Sequence, residues 1–152
     1  MVEGGEVEFI PDPAAIDQLL RSESGDVVRY LMTMGQQVKQ RARDKVGVSE
    51  PDPVPRREPH RPGTLRDSIV VRLGRQGGEP AVMVGTFAPT PGSEYALFHH
   101  EGANPHRITP RSAPRLVFYW PKVGAVVFAR SVNHPGNAPN RYLTDALREV
   151  MG

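Results

Sequence analysis

The chain has 152 residues, with 15 Gly, 16 Pro, no Cys and a formal net charge of +2. That length suits about one domain, and the lack of Cys excludes disulfides and thiolate metal sites. The small net charge argues against a chain that binds polyanions along its whole length.

At 38% hydrophobic residues a core is attainable, and no run approaches the roughly 18 apolar residues of a membrane span. No membrane contact is expected. The opening MVEGGEVEF is acidic and lacks the basic and apolar regions of a signal peptide. Residues 1–152 read as a single domain, with 1–11 as an acidic arm. Charge is unevenly spread: residues 1–26 hold seven acids and one Arg, net −6, and residues 39–75 hold ten bases and five acids, net +5. Glu3, Glu6 and Glu8 are therefore candidates for meeting a basic surface, in the same subunit or in a neighbour. Arg outnumbers Lys by 16 to 3. This fits either a GC-rich genome or planar contact to carboxylates and phosphates.

Asp12-Pro13 predicts a capped helix start, with Ile16, Leu19 and Leu20 as its stripe and an end near 22–25. Asp26 is expected to cap a longer helix, in which Val27, Leu31, Met34, Val38, Ala42 and Val46 recur at spacings of three and four. Its other face carries Arg29, Gln36, Lys39, Gln40 and Arg43, and Gly47 ends it. Residues 48–63 contain five prolines and almost nothing apolar. They read as a long extended loop, made basic by Arg56, Arg57, His60 and Arg61.

The period then changes to two. Ser68–Leu73 and Ala81–Gly85 read as strands joined through 74–80. Gly92-Ser93 opens a short helical segment with Tyr95, Leu97 and Phe98. Arg115–Trp120 and Ala125–Arg130 form a hairpin around 121–124. Asn140 is expected to cap a final helix with Leu143, Ala146, Leu147 and Val150 on one stripe. The fold class is α+β: N-terminal helices, a small antiparallel β-sheet, a C-terminal helix and the Pro-rich loop.

FHHEGANPHR (98–107) raises the one question of chemistry. A zinc site needs about three or four convergent ligands. His100-Glu101 resembles the start of a zincin motif, but Gly102 and Pro105 break any helix before His106, so the one-face geometry is lost. No nucleophile elbow, cysteine nucleophile or Gly-rich phosphate loop is present. No cofactor, metal ligand or catalytic residue is assigned.

Three stretches together resemble a family. RPGTLRDSI (61–69) is similar to the TG-x-LR-x-SI signature of siphophage neck and tail-completion proteins. YALFHHEGANPH (95–106) resembles their Tyr-Ala-x-aromatic-x-His/Glu-x-Gly segment. VNHPGNAPNRYLTDAL (132–147) resembles their closing segment, in which His-Pro-Gly leads into an aromatic residue and a last helix. The similarity covers roughly residues 25–150. It implies a virion protein rather than an enzyme: a self-associating ring, of sixfold symmetry, in the neck of a tailed phage. Neighbours would be the head-completion or stopper protein and the tail terminator or tail tube. Genomic DNA would pass through the ring without sequence-specific binding, and the protein would occupy the host cytoplasm during assembly.

Under that resemblance His100-Glu101-Gly102 and His134-Pro135-Gly136 are paired structural turns framing the sheet. Leu65, Ile69 and Val71 are core, and Arg66, with Arg56, Arg57 and Arg61, is a candidate inter-subunit contact. Three other readings are a tail-terminator ring, a DNA-binding module that uses Arg56, Arg57 and Arg61 on phosphates, and a metal-dependent hydrolase built on His99, His100, Glu101 and His106.

Overall fold

A computed structural model of the chain describes residues 10–48, 62–88 and 93–152. Glu3, Glu6, Glu8, Arg56, Arg57 and Arg61, with most of the Pro-rich segment, lie outside the described residues. The architecture is α+β, with a long N-terminal helix, two-stranded antiparallel sheets and a C-terminal helix packed on the N-terminal one. Among the described residues no helix is long and apolar enough to cross a membrane.

Helix α1 (Pro13–Arg21) begins as its sequence demands. The Asp12 carboxylate accepts hydrogen bonds from the Ala14 and Ala15 N–H groups at 2.9 and 3.3 Å, and Pro13 occupies a first-turn position where no N–H is needed. None of its residues is buried. Arg21 ties it to the body by bonds to Glu79 at 3.0–3.3 Å, and also pairs with Asp17 at 2.8 Å. Hydrogen bonding and charge from Glu79, then the charge of Asp17, raise the guanidinium pKa. The acids of this segment therefore stay local: Asp12 caps, Asp17 pairs with Arg21, and neither pairs with the basic region 39–75 among the described residues.

Helix α2 (Asp26–Val46) is the spine. Its cap is Gly25, so Asp26 is the first helical residue, where its charge suits the positive helix end and pairs with Arg29. The buried stripe is Val28, Gly35, Val38 and Ala42, so the apolar face is centred on Val28 rather than Val27 and includes a glycine. Arg43, expected on the solvated face, instead donates to the Asp67 and Ile69 carbonyls at 3.2 Å. It satisfies the end of α3 (Thr64–Ser68), a short helix that the alternating pattern around 68–73 conceals. Leu65 and Ser68 are buried there.

Strands β1 (Val70–Gln76) and β2 (Glu79–Gly85) pair antiparallel, with Val71 opposite Val84 and Gln76 opposite Glu79. They are longer than the alternation alone indicates, because Gly77 and Gly78 close a two-residue turn with φ of 60° and 88°. This hairpin lies across α2 at Gly35. A Cβ there would stand 2.6 Å from Val82 Cγ1 and 2.9 Å from Val71 Cγ1. Gly35→Leu is therefore expected to destabilise the protein by about 1–3 kcal/mol through overpacking, despite leucine's better helix propensity. Urea denaturation followed by circular dichroism checks this, and an unchanged midpoint would contradict the close crossing.

Helix α4 (Ser93–Glu101) precedes β3 (His106–Ile108). The hairpin β4 (Leu116–Trp120) and β5 (Ala125–Ala129) pairs antiparallel, with Val117 opposite Phe128 and Tyr119 opposite Val126. Strand β6 (Val132–His134) returns to pair with β3, and α5 (Tyr142–Met151) closes the described chain. The strands form three separate two-stranded sheets rather than one continuous sheet. The core joins Val38 and Ala42 of α2, Ile69, and Tyr142 and Ala146 of α5, surrounded by Val46, Val84, Leu143 and Val150. Leu147, expected on the stripe of α5, is about half exposed, and Tyr142 takes the buried position. Lys45 of α2 and Glu149 of α5 pair over the rim of this core.

Candidate functional site

The two glycine turns singled out in the sequence meet in space. His100 and Glu101 are the last residues of α4 rather than part of a loop, and the turn itself is Gly102, at φ 80°. Gly136 has φ 81°. Ala103 and Asn137, each just after its glycine, exchange two backbone hydrogen bonds at 3.0 Å. The contact is too close for any side chain. A Cβ on Gly102 would stand 2.7 Å from the Asn137 carbonyl oxygen, and one on Gly136 would stand 2.1 Å from that of Ala103.

The loop 134–140 completes α4. The last carbonyls of a helix have no partner within it. Here the Asn137 amide donates to the Phe98 carbonyl at 3.1 Å, and the Asn140 backbone N–H donates to the His99 carbonyl at 3.1 Å. The Asn140 side chain was expected to cap α5. It instead donates to the Lys45 carbonyl at 3.2 Å, in the last turn of α2. One eight-residue stretch, NHPGNAPN, thus closes the ends of two helices and starts a third.

The four described histidines divide into two pairs. His99 and His100 both set their rings edge-on to Tyr142, with centroids 5.8 and 5.2 Å away. His106 and His134 are cross-strand partners with rings 5.1 Å apart. The Gly136 N–H donates to His134 Nδ1 at 3.1 Å, so that nitrogen is an acceptor. His106 Nδ1 lies 2.9 Å from the Asn104 carbonyl, which can only accept, so that nitrogen carries a proton. Among the described residues no three His, Asp or Glu side chains converge on a point that could hold a metal.

One arrangement has the outline of a catalytic relay, which the sequence does not reveal because Thr144 is 44 residues from its partner. Thr144 Oγ1 lies 3.3 Å from His100 Nε2, and His100 Nδ1 lies 2.6 Å from Glu101 Oε1. A nucleophile also needs a substrate cavity and donors for a developing oxyanion. The neighbouring shallow cavity of about 430 Å³ is lined by Tyr95, Phe98, His99, Asn137, Ala138 and Asn140, and none of the three relay residues is in its wall. These contacts join α4 to α5 and help to hold those helices together.

Arg66 is partly exposed and, among the described residues, pairs with its neighbour Asp67, at 3.3 Å. Leu65 and Ile69 are buried, whereas Val71 is half-buried beside Gly35. Comparison with protein-family models, curated proteins and solved structures finds no match to this chain.

Proposed function

We propose that this chain is a structural protein of a tailed bacteriophage, forming a ring of six copies in the neck that joins the head connector to the tail. One observation carries the reading. The three stretches that resemble the siphophage neck and tail-completion family lie far apart in the chain, yet their described parts build one contiguous centre. Ile69, from the first, is packed with Tyr142 and Ala146, from the third. The second and third clasp each other through Ala103 and Asn137.

The shape of the surface supports the same reading. The β4–β5 hairpin leaves Val117, Trp120, Val123, Val126 and Phe128 substantially exposed. Val117, Val126 and Phe128 share one face of the hairpin and Trp120 lies on the other; exposed apolar residues grouped on one face mark a site of association. A ring closes when one subunit's patch meets a different patch on the next under a fixed rotation. In this role the protein performs no reaction; it supplies rigid edges to the rings above and below, and a channel for DNA.

Cryo-electron microscopy of virions tests the proposal. The expected density is a ring of this chain on the tail axis, between connector and tail tube. A phage lacking the gene should accumulate filled heads and separate tails. Density elsewhere in the particle, or normal virions without the gene, would overturn it.

A further inference from the structure

We infer that α1 of one copy and the β4–β5 hairpin of the next form a head-to-tail contact. The choice of a second copy as occupant rests on the ring reading above; the complementarity of the two surfaces stands on its own.

A lone two-stranded sheet is marginally stable at best in water, and among the described residues β4–β5 makes only marginal contact with the other elements. Its register puts Val117, Tyr119, Val126 and Phe128 on one face. Phe128 is 65% exposed and Val117 53%. On α1, Ile16, Leu19 and Leu20 each keep 44–47% of their surface exposed. Both surfaces are apolar and incompletely covered.

Charge decides which surface meets which. Residues 102–144 contain no Asp or Glu, but carry Arg107, Arg111, Arg115, Lys122, Arg130 and Arg141. Arg111, Arg115, Lys122 and Arg130, which flank or cap the hairpin, pair with no carboxylate among the described residues. Residues 10–26 carry Asp12, Asp17, Glu23 and Asp26 against Arg21, net −3; Asp17 pairs with Arg21 and Asp26 with Arg29, which leaves Asp12 and Glu23 paired with no cation among the described residues. Two α1 faces would repel each other, as would two hairpins. An α1 face and a hairpin attract, which selects a heterologous contact over a two-fold dimer. Within one subunit the charges do not meet, because α1 packs on α2 and β2.

A complementation experiment in sedimentation velocity tests this. The wild-type chain is expected to associate with rising concentration into species larger than dimers, less so at high salt. Leu19→Asp and Phe128→Asp change exposed positions, and each variant alone should remain monomeric where the wild type is assembled. Their equimolar mixture should form dimers and nothing larger, because each mixed pair retains one intact junction. A wild type that stays monomeric, a variant that still assembles, or a mixture without dimers would overturn the inference.

Should either Asp variant fail to fold, cysteine cross-linking replaces it, since the chain has no Cys of its own. Mixed Leu19→Cys and Phe128→Cys chains should give a hetero-linked dimer under oxidation. Products linked only between like variants would count against it, as would salt-dependent DNA binding by the hairpin cations without self-association. A neck ring lacking this cross-link leaves the proposed function standing and removes the contact. A cross-link in a protein absent from the neck does the reverse.

Discussion

Gly136→Ala is expected to lower the unfolding free energy by about 3–5 kcal/mol, a loss at the upper end for single substitutions. Two costs combine. A residue with a Cβ at φ 81° is strained by about 1–3 kcal/mol. The Cβ would also lie 2.1 Å from the Ala103 carbonyl oxygen and 2.9 Å from the Asn104 carbonyl carbon. Those are backbone atoms, which cannot rotate away as a side-chain tip can. Relief requires the two turns to separate, breaking the paired Ala103–Asn137 hydrogen bonds, each worth about 0.5–1.5 kcal/mol. Gly77→Ala is the control. Gly77 has φ 60° and nothing within 4 Å of its added Cβ, so only the conformational strain applies. Urea midpoints of the two variants compare the effects directly; equal shifts would show that the close approach contributes nothing.

Tyr142→Ala is expected to cost about 3–5 kcal/mol, as for other large-to-small changes of buried aromatic residues. The side chain is 1% exposed and joins three elements: the α2 core at Val38 and Ala42, Ile69 after α3, and the rings of His99 and His100 on α4. Tyr142→Phe keeps that packing and should cost far less at neutral pH. The two variants also separate in alkali. Burial raises the Tyr142 pKa above the ordinary value of about 10. Above that ordinary value the unfolded chain loses the phenol proton while the folded chain still holds it. The stability of the wild type therefore falls as pH rises through this window. Tyr142→Phe lacks this component, so its stability should decline less steeply in the same range. Chemical denaturation at neutral and alkaline pH gives both slopes, and parallel slopes would mean that the phenol is not shielded from water.

The parts of the fold legible in the sequence are those whose causes are neighbours in the chain. Asp12-Pro13 starts α1 because the cap and the N–H groups it satisfies are two or three residues apart. Helix α2 follows from apolar spacing, and the β4–β5 hairpin from two short runs rich in β-branched and aromatic residues around a short turn. The offsets that remain have physical reasons. Gly35 has no hydrophobic side chain, so the apolar pattern passes over a position buried by the crossing hairpin. Helix α3 is five residues long and leads into a strand, so it never completes enough turns for its period to show.

The histidine turns mark the boundary between the two kinds of information. Two positive-φ glycines beside histidines are visible in the sequence as turns, and the broken spacing between His100 and His106 already argues against a helical metal motif. Only the tertiary structure decides that those turns interlock. The partners Ala103 and Asn137, or His106 and His134, are separated by more than a helix length of intervening chain, and strands β3 and β6 are three residues each. So short a strand has no pattern of its own and exists because its partner is delivered to it. The same holds for Asn140, a helix cap by local reading, whose side chain the packing of α2 on α5 directs to Lys45. Charge follows the rule as well. The acid-free run 102–144 is written in the sequence, but that part of it stands on a hairpin with few contacts to the other described elements is visible only in the tertiary structure.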